Sequence, residues 1–344
     1  MPLETVRSRV QKVLSGVMPS DRLPVIEWAP WWTLTLERWH SEGLPEELTN
    51  VQDVQHYFGL DPLYQQWFNQ MLSSAKPKHE GTIAEETCWI EDETDYETLR
   101  PHLYPDPIQF DRVRWHNLAL QHEAGDIAVW MTLEGFFWWP RVLFGVEPHL
   151  YAFYDQPELM HRINQDQVNY MLRAIEEFCA VCTPDFMTFA EDMSYNHGPM
   201  ISEELFEEFM APYYRQVIPV LKKHGIVPLI DSDGDIEPLI PWFQKVGFEG
   251  ILPLERMAGV DVNRIRANHP TWKMIGAFDK TVMHCGEDRL REEFTRLLPV
   301  MRSGYFIPSV DHQTPPGVSL ADYQLYRRFL EQYAELACQE TTSV

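Results

Sequence analysis

The 344-residue sequence contains no apolar run long enough to cross a membrane, and its first residues have no apolar signal core. It is also poor in basic residues, with 28 Lys and Arg against 52 Asp and Glu and a formal net charge of −24. Such an acidic surface repels phosphate backbones and anionic lipid headgroups, so nucleic acids and membranes are excluded as expected partners. The sequence therefore predicts a cytoplasmic protein that acts on a small molecule.

Cysteine and glycine motifs are scarce as well. The five cysteines are an odd number and show no disulfide framework. Cys179 and Cys182 form one C-x-x-C at the end of a helical segment, where packing is a better interpretation than a metal or redox site. No glycine-rich phosphate-binding turn follows an early strand, which argues against an open, nucleotide-binding α/β sheet.

What the sequence does contain is a regular alternation of short apolar runs and amphipathic segments over residues 121–340. This pattern predicts an α/β fold, a (β/α)8 TIM barrel, within a single domain that spans residues 1–344. Residues 1–120 are predicted to be an N-terminal helical elaboration that includes the first strand at residues 24–29. In that elaboration, residues 45–78 are predicted to be helical with a break at Pro62, and residues 82–99 are predicted to form a β-hairpin.

Acidic residues and one histidine follow the predicted strands. Because the carboxyl ends of the strands in a barrel meet on one face, these side chains are expected to form a functional site. Helix-capping aspartates also occur in such turns, so any single member has a structural alternative. As a set they indicate a bound cation, a metal or a transferred proton. The set is Glu27, Glu134, Glu191, Asp192, Asp231, Asp233, Glu255, Asp279, Asp311 and His312.

Roles can be assigned within this set. His312 is the near-neutral acid or base, with a surface histidine as the alternative, and Asp233 and Asp192 are the other predicted catalytic residues. Oxygen and nitrogen donors from Asp231, Asp233, Glu255 and His312 are also chemically suited to a divalent metal such as zinc.

An aromatic run at residues 136–139, followed by Arg141, comes directly after the strand that ends at Glu134. It predicts a stacking wall for a flat ligand, with the arginine holding a carboxylate; packing of a helix start in the core is the alternative. The predicted substrate-binding residues are Trp28, Glu134, Trp138, Trp139, Arg141 and Asp279.

Four sequence blocks together resemble the uroporphyrinogen decarboxylase family. They are FAEDMSYNHGPMISEELFEEFM, LIDSDGDIEPLIPWFQKVGFEGILPLERMAGVDV, IGAFDKTVMHCGEDRLREEF and GYFIPSVDHQTPPGVSLADYQLYRRFL. The resemblance extends from about Asp126 to Leu336. It implies a distorted (β/α)8 barrel that is cytoplasmic and homodimeric, with its site at the carboxyl ends of the strands.

The family contains two chemistries. Its decarboxylases need no cofactor and bind the acetate groups of a tetrapyrrole with an Arg-Gln-Ala-Gly-Arg loop, but the corresponding region here reads VIEWAPWWTLTLERW and has no paired arginines. His312 does match the position where decarboxylases carry a histidine. The methyltransferases hold zinc with a His-x-Cys-Gly and a later cysteine, where this chain has Asp231-Ser-Asp233-Gly234 and Asp311-His312.

The resemblance therefore favours a methyltransferase or demethylase that moves a methyl group from a small molecule to a corrinoid or folate acceptor. A corrinoid would be carried by a partner protein. The alternative is a cofactor-free decarboxylase of a tetrapyrrole or a smaller aromatic acid. A third interpretation is a barrel that binds a ligand without catalysis.

Overall fold

A parallel β-sheet forms the centre of the protein, whose computed structural model describes residues 4–81 and 87–339. Within those residues seven strands belong to this sheet, and two short strands form a separate antiparallel pair. The main sheet has the order β1-β2-β3-β6-β7-β8-β9, and the separate pair is β4-β5. In chain order the strands are β1 (Leu63–Trp67), β2 (Ala128–Glu134), β3 (Phe186–Ala190), β4 (Ser194–Tyr195), β5 (Gly198–Pro199), β6 (Val227–Asp231), β7 (Gly250–Leu252), β8 (Lys273–Phe278) and β9 (Phe306–Val310).

Helices connect the strands of the main sheet, and every neighbouring pair in it is parallel. Such helical crossovers are what parallel pairing requires. The result is a curled α/β sheet of the TIM-barrel type, as the sequence predicts. The α-helices are α1 (Val6–Leu14), α2 (Thr33–Ser41), α3 (Val51–Tyr57), α4 (Glu93–Leu99), α5 (Arg112–Ala124), α6 (Trp138–Phe144), α7 (Val146–Asp155), α8 (Pro157–Cys179), α9 (Glu203–Phe209), α10 (Ala211–Lys223), α11 (Ile240–Val246), α12 (Val262–Asn268), α13 (Glu287–Met301) and α14 (Leu320–Cys338).

Residues 24–29 lie beside β9, at the edge where a closed barrel has one more strand. The Trp28 indole donates to the Val310 carbonyl at 2.7 Å, and a Glu27 carboxylate oxygen accepts from the Val310 amide at 3.4 Å. The predicted strand is nevertheless wrong, because this segment forms no strand ladder. Pro24 has no N–H to donate to a ladder hydrogen bond. The Val310 N–H donates to the Glu27 carboxylate instead of to a backbone carbonyl of this segment.

The helical prediction for residues 45–78, with its break at Pro62, is wrong outside residues 51–57. The segment contains α3 and then β1, the first strand of the sheet. β1 is only five residues long and pairs with β2 from Leu63 opposite Ala128 to Trp67 opposite Thr132. A strand this short has little intrinsic preference of its own, and pairing with its neighbour decides its conformation.

The predicted hairpin is wrong in its second half. Residues 93–99 form α4, whose N-cap Asp92 accepts from the Asp95 amide at 3.0 Å. Part of the predicted first half, residues 82–86, lies outside the described residues. The cap satisfies backbone donors that a strand would have presented to a partner, and it therefore favours the helix.

The strands β2, β3 and β9 are buried along almost their whole length. Burial on both faces explains why these runs are continuously apolar instead of alternating. Charged side chains are absent from the middle of these three strands, and the buried Thr132 and Thr188 hydroxyls hydrogen-bond to each other at 2.7 Å. In the part of the chain that the structure describes, no helix is long and apolar enough to span a membrane.

Candidate active site

A cleft of about 350 Å3 opens at the carboxyl ends of the strands. Tryptophans form much of its wall, and carboxyl groups and amides supply its polar surface. Its lining residues are Trp28, Ala29, Pro30, Gln65, Trp67, Trp130, Trp138, Ala190, Asp192, Asp231, Asp233, His312 and Gln313. The fold thus brings together residues from seven separate stretches of sequence, as expected for a barrel site.

Three aspartates converge in this cleft because two neighbouring strands end side by side. Asp231 is the last residue of β6 and lies opposite Ala190 of β3. Asp192 follows β3 with a positive φ of 39°, and its carboxylate accepts from the Asp233 amide at 3.2 Å. That bond joins the two turns, and it fixes the spacing of the carboxyl groups.

Gly234 is required at the turn after Asp233. Its φ is +82°, and a Cβ at this position would lie 2.7 Å from the backbone of Tyr195. A side chain would therefore force apart the two turns that carry the aspartates.

His312 approaches the aspartates from the turn after β9. Its Nε2 lies 3.8 Å from Asp233 Oδ2, which is an ion-pair distance and longer than a hydrogen bond. The imidazole also meets the Trp28 ring edge-on, with the ring centres 6.4 Å apart. Burial, and then the positive charge of Lys280, lower the pKa of His312. The imidazole is therefore held in its neutral form.

The crowded carboxyl groups hold protons more tightly than an exposed aspartate does. Burial, and then the charges of Asp192 and Glu255, raise the pKa of Asp233 to about 7. Burial and the neighbours Asp192 and Asp233 raise the pKa of Asp231 well above its usual range. Burial likewise raises the pKa of Asp192. Near neutral pH the group therefore contains carboxylic acids that can donate a proton and carboxylates that can accept one.

Asp231 differs from its neighbours in its contacts. Among the described residues its carboxyl group makes no hydrogen bond and no ion pair, although burial acts strongly on its pKa. The side chain is partly buried, and its carboxyl group lines the cleft without a protein partner among the described residues. Its position in the wall of the cleft indicates that a ligand is its partner.

A second layer of acidic residues supports the loops instead of facing the cleft. Glu191 accepts from three consecutive backbone amides, those of residues 136, 137 and 138, at 2.7, 2.8 and 3.0 Å. Asp311 accepts from the amides of Arg256 and Lys280, and Glu255 accepts from the Gly234 amide. These carboxylates satisfy turn donors in the way that helix caps do. Glu255, a predicted metal ligand, therefore lies behind the cleft.

Several predicted substrate-binding residues do not line the cleft. Glu134 is largely buried and accepts from Gln70 at 3.2 Å, and burial raises its pKa to about 7. Trp139 is buried and donates to the Tyr104 hydroxyl at 2.9 Å. Asp279 accepts from the amide of Thr281 in its own turn. The structure thus gives these three residues structural contacts.

Two further predicted residues stand together at the rim. The Arg141 guanidinium lies over the Trp138 ring, 4.7 Å from its centre, and donates to the Asp192 carbonyl at 3.4 Å. Trp138 lines the cleft itself. Arg141 therefore supports a wall of the cleft and does not face its interior.

Seven of the lining residues were not predicted from the sequence, and four of them have polar or aromatic side chains. Gln65 and Trp67 lie on β1, which was predicted to be helical. Trp130 lies inside the apolar run of β2, where the sequence does not distinguish it from a core residue. Gln313 follows His312 directly. β1 (LYQQW) shows no clean alternation of apolar and polar residues, so the sequence pattern gave no strong signal for a strand there.

A metal site needs several donor side chains that converge on one point. No group of three or more His, Cys, Asp or Glu side chains in residues 4–81 and 87–339 is arranged to hold a metal ion. Asp231, Asp233 and His312 share the cleft, whereas Glu255 lies behind it. Metal binding by these residues stays a prediction.

The chain is similar to known proteins in sequence and in fold. The family model described as uroporphyrinogen decarboxylase (URO-D) matches residues 142–333. A B12-independent methionine synthase from Shewanella sp. W3-18-1 has a TM-score of 0.47 and 12% identity, covering 92% of this chain and 93% of that chain. The β-glycosidase from Thermosphaera aggregans has a TM-score of 0.44 and 7% identity, covering 82% and 84%. The search of curated proteins found no match.

Proposed function

Since the chain belongs to the uroporphyrinogen decarboxylase family, we propose that it is a barrel enzyme that removes a methyl group from a small molecule bound in the cleft. The observation that supports this proposal is the charge of the lining. Asp192, Asp231 and Asp233 line the cleft, and no lysine or arginine among the described residues does. A donor of methyl groups needs no cationic partner, whereas a substrate with several carboxylates does.

The basic residues nearest to the cleft are already engaged. Arg141 packs on Trp138 and donates to the Asp192 carbonyl. The Lys280 ammonium lies 3.9 Å from Glu255. A polycarboxylated tetrapyrrole would therefore meet carboxyl groups without compensating cations. This repulsion disfavours the decarboxylation that gives the family its name.

Side chains in the cleft can donate or accept the proton that some methyl transfers require. When a methyl group leaves an ether or a thioether, the remaining oxygen or sulfur must be protonated. Asp233 holds a proton near neutral pH because burial raises its pKa to about 7, and the neutral His312 imidazole can accept one at its Nε2. The indoles exclude water and orient the donor.

The methyl acceptor is proposed to be a corrinoid carried by a partner protein, or a folate. A reduced corrinoid supplies the nucleophile when it is bound. The cleft, at about 350 Å3, has room for a small donor but not for a complete corrinoid as well. We therefore propose that the acceptor meets the methyl group at the mouth of the cleft.

Decarboxylation of a small aromatic acid is the second candidate. The pair formed by His312 and Asp233, 3.8 Å apart, favours it, because replacing CO2 by hydrogen requires a proton donor. An acid with a single carboxylate would experience less repulsion than a tetrapyrrole.

Transfer of an isotopically labelled methyl group separates these functions. The protein is incubated with reduced free cobalamin and, in turn, a methyl ether, a methylated amine and a methyl thioether, each carrying a 13C methyl group. NMR then follows the label. We expect transfer from one donor class, with a loss of at least about tenfold in Asp233→Asn and no change in the exposed control Asp288→Asn.

Release of CO2 from an aromatic acid or a porphyrinogen, without methyl transfer, would overturn the proposal in favour of decarboxylation. If neither reaction occurs but one of the donors binds, the interpretation as a non-catalytic barrel gains support.

A further inference from the structure

We propose that the cleft is a receptor for a methylated organic cation, a quaternary ammonium or a sulfonium group, which serves as the methyl donor. The chemical use of that cation rests on the function proposed above. Its binding rests on the shape and charge of the cleft alone.

The first observation is the aromatic wall. In the described part of the chain four tryptophans line the cleft: Trp28, Trp67, Trp130 and Trp138. Trp67 is 46% exposed and contacts no other ring or cation among the described residues, so its face is available to a ligand. Indole faces attract cations through the ring quadrupole, and enclosures of this kind are used to hold methylated ammonium groups.

The second observation is the negative charge enclosed by that wall. The Asp231 carboxyl group has no hydrogen-bond or ion-pair partner among the residues that the structure describes, and Asp192 and Asp233 add two further carboxyl groups. A cation placed between these groups gives Asp231 its missing counter-charge. The carboxyl groups and the indole wall therefore point to the same ligand chemistry, although they come from different parts of the chain.

The charges around the cleft do not cancel this preference. Glu255 and Asp311 add negative charge from behind, and His312 is held neutral by burial. Arg141 and Lys280 are positive, but their contacts with Trp138 and Glu255 lie outside the lining. The interior of the cleft is thus net negative whenever an aspartate ionises.

An organic cation fits these features better than an inorganic ion. Indole rings are not metal ligands, and the carboxyl groups in residues 4–81 and 87–339 do not form a metal-binding group. A hydrated metal ion would leave the apolar wall facing water. A methylated cation covers the indoles with its methyl groups and presents its charge to the carboxylates.

The transfer step balances with such a donor. The bond between the methyl carbon and the nitrogen or sulfur breaks, and its electron pair stays on that atom. The methyl group forms a new bond to the electron pair of the nucleophilic acceptor, the reduced corrinoid or the folate nitrogen named above. A tertiary amine product then takes a proton from a carboxyl group in the cleft, which leaves an ion pair. No oxidant or reductant is consumed.

Calorimetric binding of two matched compounds tests the ligand class. Choline carries a trimethylammonium group, and 3,3-dimethylbutan-1-ol has the same shape without the charge. We expect choline to bind at least about tenfold more tightly.

Two pairs of variants locate the site. Asp231→Asn should remove most of the preference for choline, whereas Asp288→Asn, on an exposed helix turn, should retain it. Trp67→Leu should weaken choline binding about tenfold. Trp32→Leu, which changes a tryptophan of similar exposure (44%) outside the cleft, should leave binding unchanged.

Equal binding of the two compounds, or loss of binding in both members of a variant pair, would overturn the inference. Preferential binding of Zn2+ alone, abolished in Asp231→Asn, would replace it with a metal site. Methyl transfer from a neutral ether without choline binding would refute the cation and leave the proposed function standing. Choline binding with no methyl transfer to cobalamin or folate would refute the proposed function and leave the cation site standing.

Discussion

Replacing Asp233 with asparagine is expected to stabilise the folded protein at alkaline pH and to have little effect at acidic pH. The native carboxyl group lies among Asp192, Glu255 and Asp311, and burial is the largest cause of its raised pKa. Asparagine has nearly the same shape and cannot ionise. Among the described residues the basic side chain recorded within ion-pair distance of this carboxyl group is His312, at 3.8 Å, and burial lowers the pKa of that imidazole.

The magnitude follows from the pKa shift. The pKa rises from 3.8 to about 7, and each unit corresponds to about 1.4 kcal/mol, so the limit is about 4 kcal/mol. Because the side chain is 37% exposed, water screens part of this penalty, and we expect about 1–2 kcal/mol. The folded native protein binds the Asp233 proton more tightly than the unfolded chain does. The stability that the protonated carboxyl group contributes is therefore complete below the usual pKa, and it is lost as pH rises through about 7.

Urea unfolding of the native protein and the variant at pH 5, 7 and 8.5 measures the effect. The free-energy difference in favour of Asp233→Asn should grow between pH 5 and pH 8.5. Asp261→Asn, which keeps a capping side chain on α12 away from the cleft, serves as the matched control and should show no such trend. The electrostatic reasoning would be refuted if the difference in the free energy of unfolding were constant with pH. It would also be refuted if the native protein became more stable relative to the variant as pH rises.

Three further predictions concern the framework of the site. Glu191→Gln should lower the free energy of unfolding by about 1–3 kcal/mol in urea melts, because an amide has one acceptor oxygen for the three backbone donors of residues 136–138; an unchanged midpoint would contradict this. Gly234→Ala should destabilise by at least about 1 kcal/mol and weaken ligand binding, since its φ is +82° and a Cβ would meet the Tyr195 backbone at 2.7 Å; unchanged melting would show that the turn can relax. Glu27→Gln should gain stability over the native protein above pH 7, because burial raises the pKa of Glu27 to about 7 and its proton is lost there; thermal melts at pH 6 and pH 8.5 would show no divergence if the carboxyl group were ionised throughout.

The aspartate turns were the part of the site that could be predicted most directly. Asp192, Asp231 and Asp233 each follow an apolar strand, and the parallel arrangement of those strands guarantees that their ends lie together. His312 follows the same rule after β9. For residues at strand ends, the order of the strands is enough to predict that the side chains lie near one another, because neighbouring parallel strands place their ends on one face.

The predicted roles of Glu134, Trp139 and Asp279 show where that rule stops. Each residue stands at or near a strand end, but Gln70, the Tyr104 hydroxyl and the Thr281 amide occupy their polar groups. Whether a strand-end residue faces a cleft or a neighbouring loop depends on partners that are far away in the sequence. The local pattern does not contain this information.

The sequence by itself determined the class of fold, the family and the acidic character of the site. Apolar runs long enough to form buried strands, and carboxyl groups confined to the turns after them, are local properties that the chain shows directly. Only the tertiary structure decided that β1 is a strand and that its Trp67 and Gln65 complete the cleft. The physical reason is that a five-residue strand is stabilised by pairing with β2, and the wall of tryptophans exists only once that pairing has formed.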